Sequence, residues 1–248
     1  WEGVGAGAPV TDWLGEAYDP AKGGKAAHPN ARFTVSAKQC PSYTEAADAP
    51  EGVPISAILF GGRRAELVPL VLEAKDWQHG VLLGATMASE TTAAATGQVG
   101  IVRRDPMAMK PFCGYHFGDY WEHWLSFEQR IDNPPRIFPV NCFRKDAKGN
   151  FMWPGFGDNL RVLEWVIGRC KGELKARETS VGRLPYAEDI RTHGLDISNE
   201  QLQSLLNIDH AAWQREYLEI QNYLQEFAPR LPPALQLLSG SIQEDLAA

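Results

Sequence analysis

The run FMWPGFGDN at 151–159 sets three aromatic rings and two glycines directly ahead of an Asp-Asn pair. Flat rings such as Phe151 and Phe156 can sandwich a purine, and Gly155 and Gly157 let the backbone approach closely enough for peptide groups to read its edge. The amide of Asn159 can donate and accept in the same plane. An aromatic core corner ahead of a buried helix would use the same residues. A second group lies in GGRR at 61–64, where Arg63 and Arg64 follow an apolar run. Guanidinium forks match phosphate or carboxylate oxygens, and the carboxyl ends of strands are where sheets meet ligands. One of these two arginines could equally serve as a surface ion-pair partner. A third group is NARF at 30–33, a polar loop introduced by His28-Pro29 that sets the amide of Asn30 beside Arg32.

Several chemistries have no residues to carry them. The chain contains no GxxxxGK[ST] phosphate loop, no GxSxG elbow and no His/Asp/Glu cluster at metal-ligand spacing. His116 and His123 are seven residues apart, two helical turns, which is too far for one metal. The four cysteines, Cys40, Cys113, Cys142 and Cys170, form no CxxC pair, so neither a zinc ribbon nor a disulfide framework is expected and a reducing cytoplasm fits best. GVGAGA at 3–8 matches a loose dinucleotide fingerprint, but no strand precedes it and Pro9 follows, so it reads as linker. The chain opens at Trp1 rather than Met, which reads as a piece of a longer protein. A phosphate loop and metal ligands, if the chain serves a nucleotide enzyme, are then expected before Trp1.

The elements that must position these groups read as an α/β protein. With 248 residues, 44% hydrophobic and 22% charged, the chain can bury a substantial core, and its net charge of -7 offers no broad basic surface for nucleic acid. No apolar run has membrane-spanning length and no signal peptide opens the chain. Residues 1–50 read as an irregular wrapping segment, 51–176 as an α/β core and 177–248 as a helical region.

Within the core, VPISAILF at 53–60 predicts a buried strand running into a tight turn. SETTAAATGQVG at 89–100 has no aromatic side chain and no apolar one larger than Val99, and is expected to be a mobile surface loop. Asp105-Pro106 should start a helix, and Tyr120, Trp124 and Phe127 should share one face of a helix over 119–129 that Pro134 and Pro135 end. RIFPVNCF at 136–143 resembles a strand, with Pro139 arguing for an edge or bulge. Asp158 should cap a helix to Cys170 that is apolar on most sides and therefore deeply buried. Ser198 and Gln201 form a capping box, Trp213, Tyr217, Ile220, Tyr223 and Phe227 have helical spacing, and Leu235, Leu238 and Ile242 mark a last amphipathic helix.

Taken in order, NARF at 30, EGVPISAILFGGRR at 51, WQHG at 77, MASETTAAATG at 87, HWLSF at 123, FRKDAKGNFMWPGFGDN at 143 and RVLEW at 161 resemble GTP-dependent phosphoenolpyruvate carboxykinase over essentially the whole chain. The resemblance implies the C-terminal nucleotide-binding part of that fold, a mixed sheet with helices and a helical C-terminal tail. It also implies an enzyme that converts oxaloacetate and GTP to phosphoenolpyruvate, GDP and carbon dioxide with Mn2+ or Mg2+, as a cytoplasmic monomer in gluconeogenesis. By resemblance, Asn30, Ala31 and Arg32 form the substrate loop, and Arg32 also approaches the transferred phosphoryl group. Arg63 touches the nucleotide phosphates and acts with Arg32 in catalysis. Phe143, Phe151, Phe156, Gly157, Asp158 and Asn159 form the guanine pocket. The lid is Ser89, Glu90, Thr91, Thr92, Ala93, Ala94, Ala95, Thr96 and Gly97, continuing to Gly100. Cys142 stands where members often carry Trp. The metal ligands are implied to lie outside this chain, and the alternative is a non-catalytic nucleotide-binding or interaction module built on the same fold.

Overall fold

The computed structural model describes Gly5 and residues 7–31, 34–92 and 98–248, in two compact units. The first, Trp1–Pro54 with Thr91–Gly100, contains 3-10 turns at Pro20–Lys22, Ala37–Gln39 and Glu45–Asp48, and none of its described side chains is buried. Asp19, Ser36 and Thr44 start these turns by accepting backbone N–H groups, so local capping supplies order where the composition supplies no core.

The second unit, Ile55–Glu90 with Ile101–Ala248, is mixed α/β with small sheets and helices. Strand β1 (Ala57–Gly61) pairs in parallel with β4 (Arg136–Val140), and two antiparallel pairs are β2 (Ala88–Glu90) with β3 (Val102–Arg104) and β5 (Arg177–Thr179) with β6 (Gly182–Leu184). On the far side of β4, Leu72 and Ala74 donate to the carbonyls of Pro139 and Ile137. Successive residues of a strand point their polar groups to opposite sides, so Pro139 turns its hydrogen-free nitrogen away from β1 and the parallel ladder survives. β1 is less buried than its apolar sequence predicts: of its residues only Phe60 is buried, and Leu59 is exposed. Its second edge has no strand partner among the described residues.

Helix α1 (Trp77–Ala85), capped by Asp76 accepting from His79, packs on β4 through Gly80, where a Cβ would come within 2.4 Å of Ile137. Asp105-Pro106 yields only the 3-10 turn Pro106–Ala108 instead of a helix, because Met107 and Ala108 adopt positive φ and turn the chain. Asp105 accepts from the backbone of Lys110 instead of capping. Helix α2 (Phe117–Ser126) ends before Phe127, and its wholly buried residue is Trp121, outside the expected stripe; Trp124 stacks on Trp77 at 5.6 Å.

Helix α3 (Asn159–Lys171) buries Val162, Trp165 and Val166 but leaves Leu160, Leu163 and Ile167 exposed, so it is amphipathic in its contacts, not deeply buried. An apolar residue count cannot tell which face has a partner. Helix α4 (Asn199–Leu205) has half of its expected capping box: Ser198 accepts from Gln201, whose side-chain amide instead donates to the Met152 carbonyl at 2.7 Å. Helices α5 (His210–Gln225) and α6 (Pro233–Ala247) pack together, with Trp213, Tyr217, Ile220 and Tyr223 of α5 and Leu235 and Ile242 of α6 buried as their spacing predicts.

Buried charge binds these elements. Glu73, 1% exposed, receives Arg136 of β4 at 2.9 Å and Arg169 of α3 at 2.5 Å, with Arg183 of β6 at 3.8 Å. Several arginine donors satisfy the carboxylate, which is the condition under which a buried charge is tolerated. Among the described residues, no helix is long and apolar enough to cross a membrane.

Candidate functional site

The turn after β1 and the segment after β4 lie side by side because the two strands are parallel neighbours. Arg63 and Phe143 therefore meet, with the guanidinium carbon 3.9 Å from the ring centroid. A cation over an aromatic face at this range is attracted by the ring quadrupole. Beyond Phe143 the chain folds back on itself. Asp146 accepts from the backbones of Lys148 and Asn150, Gly149 takes φ +84°, and Lys145 bridges Phe151. This returns Phe151 to an edge-on position 6.0 Å from Phe143, with Lys145 Nζ 5.4 Å from the Phe151 ring. One arginine, one lysine and two rings are thus contiguous.

The three rings of FMWPGFGDN separate by role. Trp153 is 1% exposed and belongs to the core, whereas Phe151 is 53% and Phe156 67% exposed. The aromatic-core reading thus holds for Trp153, while Phe151 and Phe156 keep exposed rings. Phe156 has φ +33°, uncommon for a residue with a side chain, in the short turn Phe156–Asp158 that leads into α3. Asp158 sits at the N-cap position but caps nothing; its carboxylate takes Arg161 Nε at 3.0 Å. Trp153 Nε1 donates to Asn159 Oδ1 at 2.9 Å. An indole nitrogen can only donate, so the oxygen of the Asn159 amide must face it and the NH2 must point away. One lone pair of the Asn159 oxygen is therefore taken by Trp153, and its NH2, which has no hydrogen-bond partner among the described residues, points away from the indole. Gly157 is exposed beside it.

Arg64 is not a surface ion-pair partner. Its side chain is 12% exposed and donates twice to Glu216 of α5, at 3.3 and 3.1 Å, while Arg104 of β3 donates to the same carboxylate at 2.7 Å. Burial alone would raise the Glu216 carboxyl, but the hydrogen bonds and charges of Arg64 and Arg104 outweigh it and hold the carboxyl below its ordinary value.

Of the expected lid, Ser89 and Glu90 lie in β2, not in a loop. Ser89 Oγ accepts the Arg63 backbone N–H at 3.0 Å, the Glu90 N–H donates to the Arg63 carbonyl at 2.8 Å, and Glu90 Oε1 accepts from Ala65 at 2.6 Å. The arginine turn is thereby clamped to β2. In the other unit, Thr91 donates to the Gln98 carbonyl at 2.5 Å and accepts from Gly100 at 2.8 Å, closing the neck of the loop. Ala93, Ala94, Ala95, Thr96 and Gly97 lie outside the described residues, as does Arg32. Asn30 and Ala31 are exposed, with the Asn30 N–H bonded to His28 Nδ1 at 3.0 Å and the Ala31 N–H to the His28 carbonyl at 2.9 Å.

An apolar cavity of about 60 Å³ lined by Phe60, Leu72, Met87, Tyr217 and Ile220 holds a few waters at most. A nucleotide needs several times that volume. The open surface around Arg63, Phe143 and Phe151 is the candidate site.

The whole of residues 1–244 matches the model of the phosphoenolpyruvate carboxykinase C-terminal P-loop domain. The chain belongs to the GTP-dependent phosphoenolpyruvate carboxykinase family. It is 52% identical over 250 residues to phosphoenolpyruvate carboxykinase [GTP] of Anaeromyxobacter dehalogenans (strain 2CP-1), 49% over 249 residues to that of Treponema pallidum (strain Nichols) and 48% over 239 residues to that of Chlamydia caviae. These alignments cover 100%, 95% and 95% of this chain but 42%, 40% and 40% of the relatives, so the chain spans less than half the length of the carboxykinases it matches.

Sequence reasoning missed two groups at this candidate site, Asn141 and Lys145. A lone amide in the apolar run RIFPVNCF was the available signal for the first. For Lys145 no signal existed without the hairpin that folds it over Phe151.

Proposed function

We propose that this chain is the guanine- and phosphate-binding part of a GTP-dependent phosphoenolpyruvate carboxykinase, acting in the cytoplasm on oxaloacetate and GTP to give phosphoenolpyruvate, GDP and carbon dioxide. The observation that carries the reading is the contiguous group Arg63, Phe143 and Phe151, a fixed cation next to two rings, one of them open to solvent. That arrangement suits a ligand that is anionic at one end and planar at the other. Phe143, Phe151 and Phe156 offer faces to the base, and Gly157 and Asp158 supply backbone at its edge. The Asn159 NH2, the end of the amide turned away from Trp153, can donate to guanine O6, whereas adenine presents an N6 that itself donates.

Phosphoryl transfer spreads charge over equatorial oxygens, so Arg63, held at both its N–H and its carbonyl by β2, meets that charge without reorganising. Arg32 serves the same oxygens, with Asn30 and Ala31 in the substrate loop. The loop from Ser89 to Gly100 acts as the lid, its first two residues forming a fixed hinge strand, and excludes water from the enolate that decarboxylation leaves. Among the described residues no group of three or more His, Cys, Asp or Glu side chains could by itself hold Mn2+ or Mg2+. The role proposed for the chain is in base, phosphate and substrate contacts. Segment 1–50 carries the substrate loop, 51–176 the nucleotide site and 177–248 the helices behind it.

The test is nucleotide-dependent turnover of oxaloacetate by the natural full-length protein. GTP should support phosphoenolpyruvate formation and ATP should support little; equal turnover with both would count decisively against this pocket.

A further inference from the structure

Asn141 directly follows β4 on the way into the site and is a buried polar side chain, 1% exposed. Its Oδ1 accepts the backbone N–H groups of Arg64 and Phe143, both at 3.2 Å. Its Nδ2 donates to the carbonyls of Arg64 at 2.9 Å and Val68 at 3.0 Å. The amide is thus saturated by backbone from two segments 77 residues apart in sequence. One segment carries Arg63, the other Phe143. A buried amide is retained at the cost of desolvation only when all its bonds are made, and here every bond fixes main chain near the site instead of touching a ligand.

We propose that Asn141 is a positioning residue, setting the spacing between the phosphate-binding arginine turn and the base-stacking ring. The proposal rests on the carboxykinase reading above. Its physical content is an effective concentration: a nucleotide whose base is held at Phe143 presents its phosphates to Arg63 productively only if the two anchors keep a fixed separation. Loosening the joint should spare each half-site and weaken the ligand that spans both.

The substitution Asn141→Asp keeps an oxygen for the two N–H groups but sets a carboxylate against the carbonyls of Arg64 and Val68. Asn141→Ser keeps an oxygen and removes the donors without adding charge. In the natural full-length protein, binding of GDP, guanosine and inorganic pyrophosphate is measured by calorimetry for parent and variants, using whichever variant keeps the parent's cooperative thermal unfolding. The expected result is GDP weakened about tenfold, with guanosine and pyrophosphate each changed less than about threefold. GDP weakened no more than its two halves would overturn the role of Asn141. A parent that binds no GDP would instead overturn the carboxykinase reading on which the role depends, and the two failures are distinguished by the parent alone.

Discussion

The guanidinium of Arg63 rests on the face of Phe143, 3.9 Å from the ring centroid, so the residue proposed for phosphate and the residue proposed for base are a single packed unit before any ligand arrives. Each restricts the other's rotamers, which lowers the ordering cost of binding.

Substitutions at this pair should therefore be non-additive. Arg63→Lys keeps a charge but loses the flat fork, and Phe143→Leu keeps apolar bulk but loses the quadrupole. The pair should show a coupling of about 0.5–1 kcal/mol in GTP affinity, the range for an exposed cation over a ring. Independent effects in a double-mutant cycle would show that the contact does nothing for binding.

Base selectivity should depend on a residue that never meets the base. Trp153→Phe removes the indole N–H that fixes the oxygen of Asn159, letting the amide rotate and offer either end. The ratio of GTP to ATP efficiency should fall by about tenfold, a change of 1.4 kcal/mol. If the ratio holds while the variant stays folded, Asn159 is oriented by something other than Trp153.

The parts legible in the sequence were those set by local period. Trp213, Tyr217, Ile220 and Tyr223 repeat every three or four residues, so α5 and its buried face could be read directly. What the sequence hid was decided by partners far along the chain. Leu160, Leu163 and Ile167 look like core residues, yet α3 turns them outward because its neighbours contact the face of Val162, Trp165 and Val166. Arg64 looks identical to Arg63 until α5, 152 residues later, brings Glu216 to it. Ser89 and Glu90 look like the start of a loop because their pairing depends on β3 and on the arginine turn.

Glu216 gives a pH-dependent test. Its folded carboxyl lies below the ordinary 4.5, so its contribution to stability is complete above 4.5 and is lost as pH falls from there through the lowered folded value. Glu216→Gln leaves Arg64 and Arg104 buried without their shared counter-charge and should cost about 3 kcal/mol near pH 7, as breaking a buried pair commonly does. Urea unfolding of parent and variant should show that gap narrowing in acid. A gap independent of pH would mean that packing, not charge, is what Glu216 supplies.

His79 supplies a second window, with the opposite kind of group. The ring is 1% exposed, its Nδ1 accepts the Lys75 N–H at 3.0 Å, and its Nε2 is buried with no hydrogen-bond partner among the described residues. Burial lowers its pKa from 6.5 to about 4, against the pull of Asp76 and with the help of the charges on Lys75 and Arg183. The unfolded chain therefore takes up a proton that the folded chain refuses. Stability contributed by the neutral ring is complete above 6.5 and drains away as pH falls toward 4, in total on the order of 3 kcal/mol. His79→Asn can keep an acceptor for Lys75 but cannot titrate, so it should start less stable at neutral pH because of the space it leaves, yet lose less on acidification. The measurement is the free energy of urea unfolding across that interval for both proteins. Parallel curves would show that His79 is protonated equally in the folded and unfolded chains, and that its burial has no electrostatic consequence.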